Sequence, residues 1–415
     1  MRTRTLVAAL LAASIAACGR SAPIDPAQWS VTPQPVASPA GPNSSEPQIT
    51  ASDRGVILSW IERTGTTAHL KFAERAASGW SAPVEVASGT DWFVSYADPP
   101  AVMRLSNGTL VAQWERQTDP FVEAMDLVLV SSTDNGKSWS RPFTPHHDGT
   151  KSQHAFASLF ELAGSTLGLV WLDGRESMAE TDDPAGGSMM MRYAAFDAGW
   201  KQIADAQVDA RVCECCQTSV AMTSDGPLTA YRDRSAQEIR DIAVTRLEDG
   251  QWTGASSVHN DGYKTYACPV NGPAITARDR RAAVAWYTVK GEQGQAFVAF
   301  SDDAGRTWGA AHRLDQAGSL GRVDVEMLDD GSAVATFVEF ADNRAQLRMR
   351  RIDPSGAMSP AISLAGVGTG RASGFPRMAR QGDELVFAWS ESTGGADDSE
   401  ASLSVKTAIA RLPRR

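Results

Sequence analysis

Short apolar runs, each closing on an aromatic or polar residue, recur along the chain at near-even intervals. They read Ile57-Leu58-Ser59-Trp60, Val111-Ala112-Gln113-Trp114, Leu169-Val170-Trp171, Leu228-Thr229-Ala230-Tyr231, Val284-Ala285-Trp286, Val334-Ala335-Thr336 and Phe387-Ala388-Trp389. Successive copies lie 54, 57, 60, 55, 50 and 53 residues apart. Before each run a further short strand is predicted, often marked by proline, as at Pro47, Pro99, Pro273 and Pro376. After it the pattern continues through a third strand to a turn and another tryptophan. Strands of this length with turn signals between them predict a four-stranded antiparallel meander in each copy. Stacking such units in a ring gives an all-β, seven-bladed β-propeller. A six-bladed ring with one copy as decoration is the alternative.

The turn after the third strand is the most specific feature. Ser132-Thr133-Asp134-Asn135-Gly136-Lys137-Ser138-Trp139 and Ser301-Asp302-Asp303-Ala304-Gly305-Arg306-Thr307-Trp308 share one pattern, with worn versions ending at Trp80, Trp200 and Trp252. Asp ties its own turn backbone, Gly supplies positive φ, and Trp staples the turn to the blade. Trp29-Ser30-Val31-Thr32-Pro33 matches Trp80-Ser81-Ala82-Pro83, whereas the last copy stops one strand short. The N-terminal segment is therefore expected to complete the C-terminal blade and close the ring. Of twelve tryptophans only Trp92 falls outside the repeat. These turns resemble the Asp-box of sialidases and related propellers.

Composition narrows the partners. A net charge of -10 disfavours nucleic acid, whose phosphates need clustered Lys and Arg. Residues 1–17 read as a secretion signal: Arg2 and Arg4, then an apolar stretch, then Ile15-Ala16-Ala17-Cys18-Gly19. That ending resembles the lipobox of bacterial lipoproteins and implies lipid on Cys18, membrane attachment through it, and an outer-membrane location facing the periplasm or the cell surface. Residues 18–44 then form the lipidated N-terminus, tether and closing strand, and 45–415 the propeller.

Antiparallel pairing brings the starts of innermost strands and the ends of second strands to one rim. The ligand-gripping candidates there are Arg175, Arg232, Arg234, Asn271 and Arg371, because guanidinium forks match carboxylates. The densest charge runs from Tyr231-Arg232-Asp233-Arg234 to Glu238-Ile239-Arg240-Asp241. Cys213, Cys215 and Cys216 open blade four and Cys268 opens blade five, with His154 on neighbouring blade three. Disulfides suit an exported protein. One bridge from the triplet to Cys268 forms easily, but a second inside Cys-x-Cys-Cys is hard to form; the alternatives are a soft site for copper(I) or zinc, with these four cysteines and His154 as ligands, and a redox-active thiol. His146, His147, His259 and His312 read as loop residues.

Two functions follow. One is a non-hydrolytic envelope protein binding a ligand or soft metal at the Cys/His/Arg pocket; docking of an envelope protein partner on the rim is a further possibility. The other is implied by the sialidase resemblance: an exo-acting hydrolase of terminal acidic sugars. That family uses three arginines, a Tyr–Glu nucleophile and an Asp acid/base. Its first arginine lies in an Arg-Ile-Pro-like motif, where this chain has Ser45-Glu46-Pro47-Gln48-Ile49. Arg232, Arg234 and Arg371 could rebuild the grip, with Asp173 or Asp233 as acid and Tyr231 or Tyr263 as nucleophile.

Overall fold

A computed structural model describes residues 25–119, 122–177, 187–341, 344–392 and 402–413; the signal segment and Cys18 lie outside them. Seven antiparallel sheets follow one another along the chain and form a seven-bladed propeller. The innermost strands are Ser44–Ala51, Ala101–Arg104, His154–Leu162, Ser219–Thr223, Ala274–Arg278, Ser319–Met327 and Arg377–Gln381. Each is an edge strand, which tolerates proline, so Pro99, Pro273 and Pro376 stand just before or at the start of a strand. Second strands such as Thr166–Asp173 are buried almost throughout, because neighbouring blades cover both faces. Outer strands face water on one side, and Gln202–Asp209 alternates accordingly.

The ring closes through the N-terminal segment. Gln34–Val36 pairs antiparallel with Leu403–Arg411, Gln34 opposite Ile409 and Val36 opposite Thr407. The turn tryptophans also staple each blade to the one before it. Trp139 meets Phe72 of blade one edge-on at 6.2 Å, and Trp252 meets Tyr193 of blade three at 5.2 Å. Trp29 follows the same rule, packing with Leu328, Val334 and Leu347 of blade six. Blade six has no turn tryptophan; Met358 fills that place against the core of blade five.

The two full turns are built alike. Ser132 Oγ donates to Asp134 at 2.8 Å, and Asp134 accepts from the Ser138 amide at 2.9 Å and hydroxyl at 2.6 Å. Asp303 repeats this with Ser301 and Thr307 at 2.7 to 2.8 Å. Asp353 makes a related turn in blade six, hidden in the sequence by the missing tryptophan. Trp92 lies in a two-residue strand, Trp92–Phe93, on the second strand of blade two and stacks on Trp114 at 5.0 Å. Among the described residues, blade two carries the Leu129–Phe143 bridge at the place where the others have a fourth strand.

Candidate functional site

Pairing register sets the rim: His154 stands opposite Asp173, and Ser319 opposite Glu339. On blade three, His154 is fully buried. Its Nδ1 lies 3.1 Å from the Met125 carbonyl, to which it donates, and its Nε2 3.0 Å from Asp148. Asp173 accepts the Trp171 indole N–H at 2.9 Å and the Arg175 fork at 2.8 Å twice; Arg175 also reaches Asp148 at 3.1 Å. Burial would raise the Asp173 carboxyl, but Arg175 and His154 outweigh it and hold it below the usual range. His146 is not a solvated loop residue: it stacks on His154 with centroids 3.6 Å apart. Burial, then the neighbouring His154, pushes it down to about 3. The Arg175 guanidinium occupies the cation position between the carboxylates, so this is a closed ion-pair network. His154 belongs to it and not to the thiols, and Asp173 is locked as an anion.

The thiols sit on blade four. Cys215 is disulfide-bonded to Cys268 of blade five, with Cα atoms 6.1 Å apart. Cys213 and Cys216 are free and buried, their sulfurs 3.2 Å apart, and Cys213 Sγ lies 3.9 Å from Cys215 Sγ. The Sγ atoms of Cys213, Cys215 and Cys216 all fall within 4.8 Å of one another. Arg240 Nη1 donates to Cys213 Sγ at 3.4 Å and to Glu214 at 2.9 Å. The hydrogen bond shared with Cys216 is the main cause holding Cys213 at about 7; burial opposes it, and Arg232 and Arg240 assist. Burial, then Cys213, pushes Cys216 well up.

The charged stretch beside the thiols is satisfied internally. Arg232, 2% exposed, donates to the carbonyls of Asn271, Arg240 and Tyr287 at 2.6 to 3.1 Å, so its fork has no side left for a ligand carboxylate. Arg234 forks onto Glu238 at 2.8 to 3.0 Å, and Arg240 reaches the same carboxylate at 3.0 Å. Tyr231 donates to Asp209 at 2.6 Å; burial, then Asp209, raises its hydroxyl far above the usual value, which opposes a nucleophilic role. Asp233, close enough to Tyr231 to influence it, is pushed up to about 6 by burial, with Asp209 and Asp241 adding. Arg371 is exposed and stands over the Tyr96 ring at 5.9 Å.

At the axis the innermost strands are laced together. Asp98 accepts from the Phe156 amide at 2.6 Å, and Gln217 donates to the Ala97 carbonyl at 2.5 Å and accepts from Gly272 at 2.9 Å. Asn271 Oδ1 accepts from the Arg322 amide at 2.9 Å, and Arg322 donates to Ser373 and Gly370. Glu46, Phe156 and Arg322 hold φ of 49°, 57° and 55°, at bulges or irregularities in their strands. Below this lacing lies a polar cavity of about 240 Å³ lined by Gln48, Asp98, Asp324, Glu326 and Arg377, among others. Burial pushes Asp98 up to about 7 against the pull of the Phe156 amide and Arg377.

A pH dependence follows. The folded chain holds the Asp98 proton more tightly than the unfolded chain does, so this group's contribution is complete below its ordinary value and is lost as pH rises through 7. Between pH 5.5 and 8.5 Asp98 should contribute roughly 2 kcal/mol to a loss of stability, read as a falling melting temperature, to which Glu326 of the same cavity, raised to about 8 by burial, adds. Asp98→Asn should reduce that fall in thermal scans at fixed ionic strength, leaving the share due to Glu326. An unchanged slope in the variant would remove Asp98 as its origin.

No family model matches the chain, and no curated protein matches it. Solved structures do. A protein of unknown function from Dyadobacter fermentans superposes with TM-score 0.51 at 15% identity, over 90% of this chain and 95% of that one. The polysaccharide lyase Uly1 gives 0.53 at 9% identity, over 89% and 90%. The endosialidase of phage phi92 gives 0.52 at 12%, over 93% of this chain and 70% of that one. The likeness is one of fold.

Proposed function

We propose that this propeller is an envelope lipoprotein, anchored through lipid on Cys18, that holds copper(I) at the blade-four thiols. The two free, buried thiols of Cys213 and Cys216, with sulfurs 3.2 Å apart, carry the reading. Soft thiolates select copper(I) over hard cations. Cys215 is tied to Cys268, so two free thiols are left. That number suits a linear copper(I) site and falls short of the four ligands of structural zinc. Two thiolates on one copper(I) carry excess negative charge, and the Arg240 guanidinium beside Cys213 offsets it. Burial of Cys213 and Cys216 keeps water and oxidants from the pair.

The test is anaerobic copper(I) titration of the full chain against a chromophoric chelator. One equivalent should bind, and the Cys213→Ser/Cys216→Ser pair should lose it while keeping the wild-type circular dichroism. Wild-type protein that takes up no stoichiometric copper(I) overturns the reading.

A second reading, action on acidic carbohydrate, is favoured by one feature. The axial cavity holds the Asp98 carboxyl at about 7 near Arg377, whose Nε has no hydrogen-bond partner, a pairing able to exchange a proton close to neutrality. Propellers of this fold include a polysaccharide lyase and an endosialidase.

A further inference from the structure

The Cys215–Cys268 disulfide divides unequally between inside and outside. Cys215 Sγ belongs to the thiol cluster, 3.9 Å from Cys213 Sγ, whereas Cys268 is exposed on the loop between blades four and five. That loop does not depend on the disulfide for its position. Before Cys268, the Arg240 amide donates to the Tyr263 carbonyl at 2.8 Å, Thr265 to the Glu238 carbonyl at 3.0 Å, and Gly262 and Tyr263 to Asp241 at 2.9 and 2.8 Å. After it, Arg232 grips the Asn271 carbonyl and Gly272 donates to Gln217. A bond that closes a segment already anchored on both sides constrains the chain little, so breaking it leaves the two sulfurs near their places.

We infer that the Cys215–Cys268 disulfide is a redox gate on the copper(I) site, opened by an external dithiol that attacks the sulfur of Cys268, the exposed residue of the pair. The inference rests on the proposed metal site. An incoming thiolate reaches the outer sulfur first, forms a mixed disulfide with Cys268, and expels Cys215 as a thiolate. The second thiol of the reductant then attacks the mixed disulfide, leaves as its own disulfide, and releases the Cys268 thiolate. Two electrons pass to the protein and two thiol protons balance the two sulfurs. The direction of attack matters: the leaving group is the sulfur inside the cluster. Opening the gate adds a third thiolate to Cys213 and Cys216 and converts a two-sulfur site into a three-sulfur one. Tyr266, 78% exposed two residues before Cys268, marks the same loop as accessible to a partner.

The experiment compares copper(I) affinity, by chelator competition, and sulfur coordination number, by X-ray absorption. It uses the full chain as isolated and after phosphine reduction with the reductant removed. Reduction should raise affinity by about tenfold or more and the coordination number from two to three. Cys268→Ala should show the reduced values without reduction. Glutathione, used as a monothiol probe, should be mapped by mass spectrometry on Cys268. Equal affinity and coordination before and after reduction, with Cys215 shown free by alkylation, overturns the gate and leaves the metal site standing. Glutathione found on Cys215 overturns the direction of attack. Absence of copper(I) in both states overturns the metal site and the gate together.

Discussion

Arg232→Ala is expected to destabilise the protein by about 4 kcal/mol, read as a shift in the urea midpoint. The guanidinium is among the largest fully enclosed side chains, and its N–H groups tie the end of the second strand of blade four to Asn271, Arg240 and Tyr287. Truncation takes the Arg232 donors from three carbonyls, each loss costing about 1–3 kcal/mol where no other donor replaces it, and opens a void beside Tyr263. Exposed Arg371 supplies the contrast, and its alanine variant should stay within about 0.5 kcal/mol of wild type. An Arg232→Ala protein of near wild-type stability would return this residue to the role of a surface anion grip.

Trp29→Ala should cost about 3–5 kcal/mol. Trp29 is 2% exposed and sits in the apolar cluster shared by blades six and seven, with Leu328, Val334, Leu347 and Phe387 among its members. Its side chain holds the segment that leads into Gln34–Val36, the strand that covers the outer edge of Leu403–Arg411. Loosening that segment exposes unpaired backbone on the last blade, which promotes edge-to-edge association. Thermal unfolding and light scattering together measure the effect. A loss below about 1 kcal/mol with no added scattering would show that ring closure does not depend on this tryptophan.

The blade repeat was legible because it is written in short-range chemistry. Apolar runs ending at Trp60, Trp114, Trp171 and Trp286 mark strands buried on both faces, and the Asp134 and Asp303 turns are held by bonds spanning four residues. Trp29-Ser30-Val31-Thr32-Pro33 reads as the closing strand itself, whereas the strand lies just beyond it at Gln34–Val36. The rim was legible as a place but not as a set of roles. Arg232, Arg234 and Asp173 look alike in sequence as charged residues at strand ends. Their partners lie on other segments: Asn271 and Tyr287 for Arg232, and Asp148 and His154 around Asp173. His146 gives no sign in its loop that it will stack on His154.

The amino-acid sequence by itself determined the strand repeat and the turn chemistry, because each depends on neighbours a few residues apart. The tertiary structure decided which sulfurs pair, that His154 joins Asp148 and Asp173 instead of the thiols, and that the arginines of the rim are internal ties. Those outcomes depend on distances and burial between segments tens of residues apart, and no local pattern encodes which donor reaches which acceptor once the ring has closed.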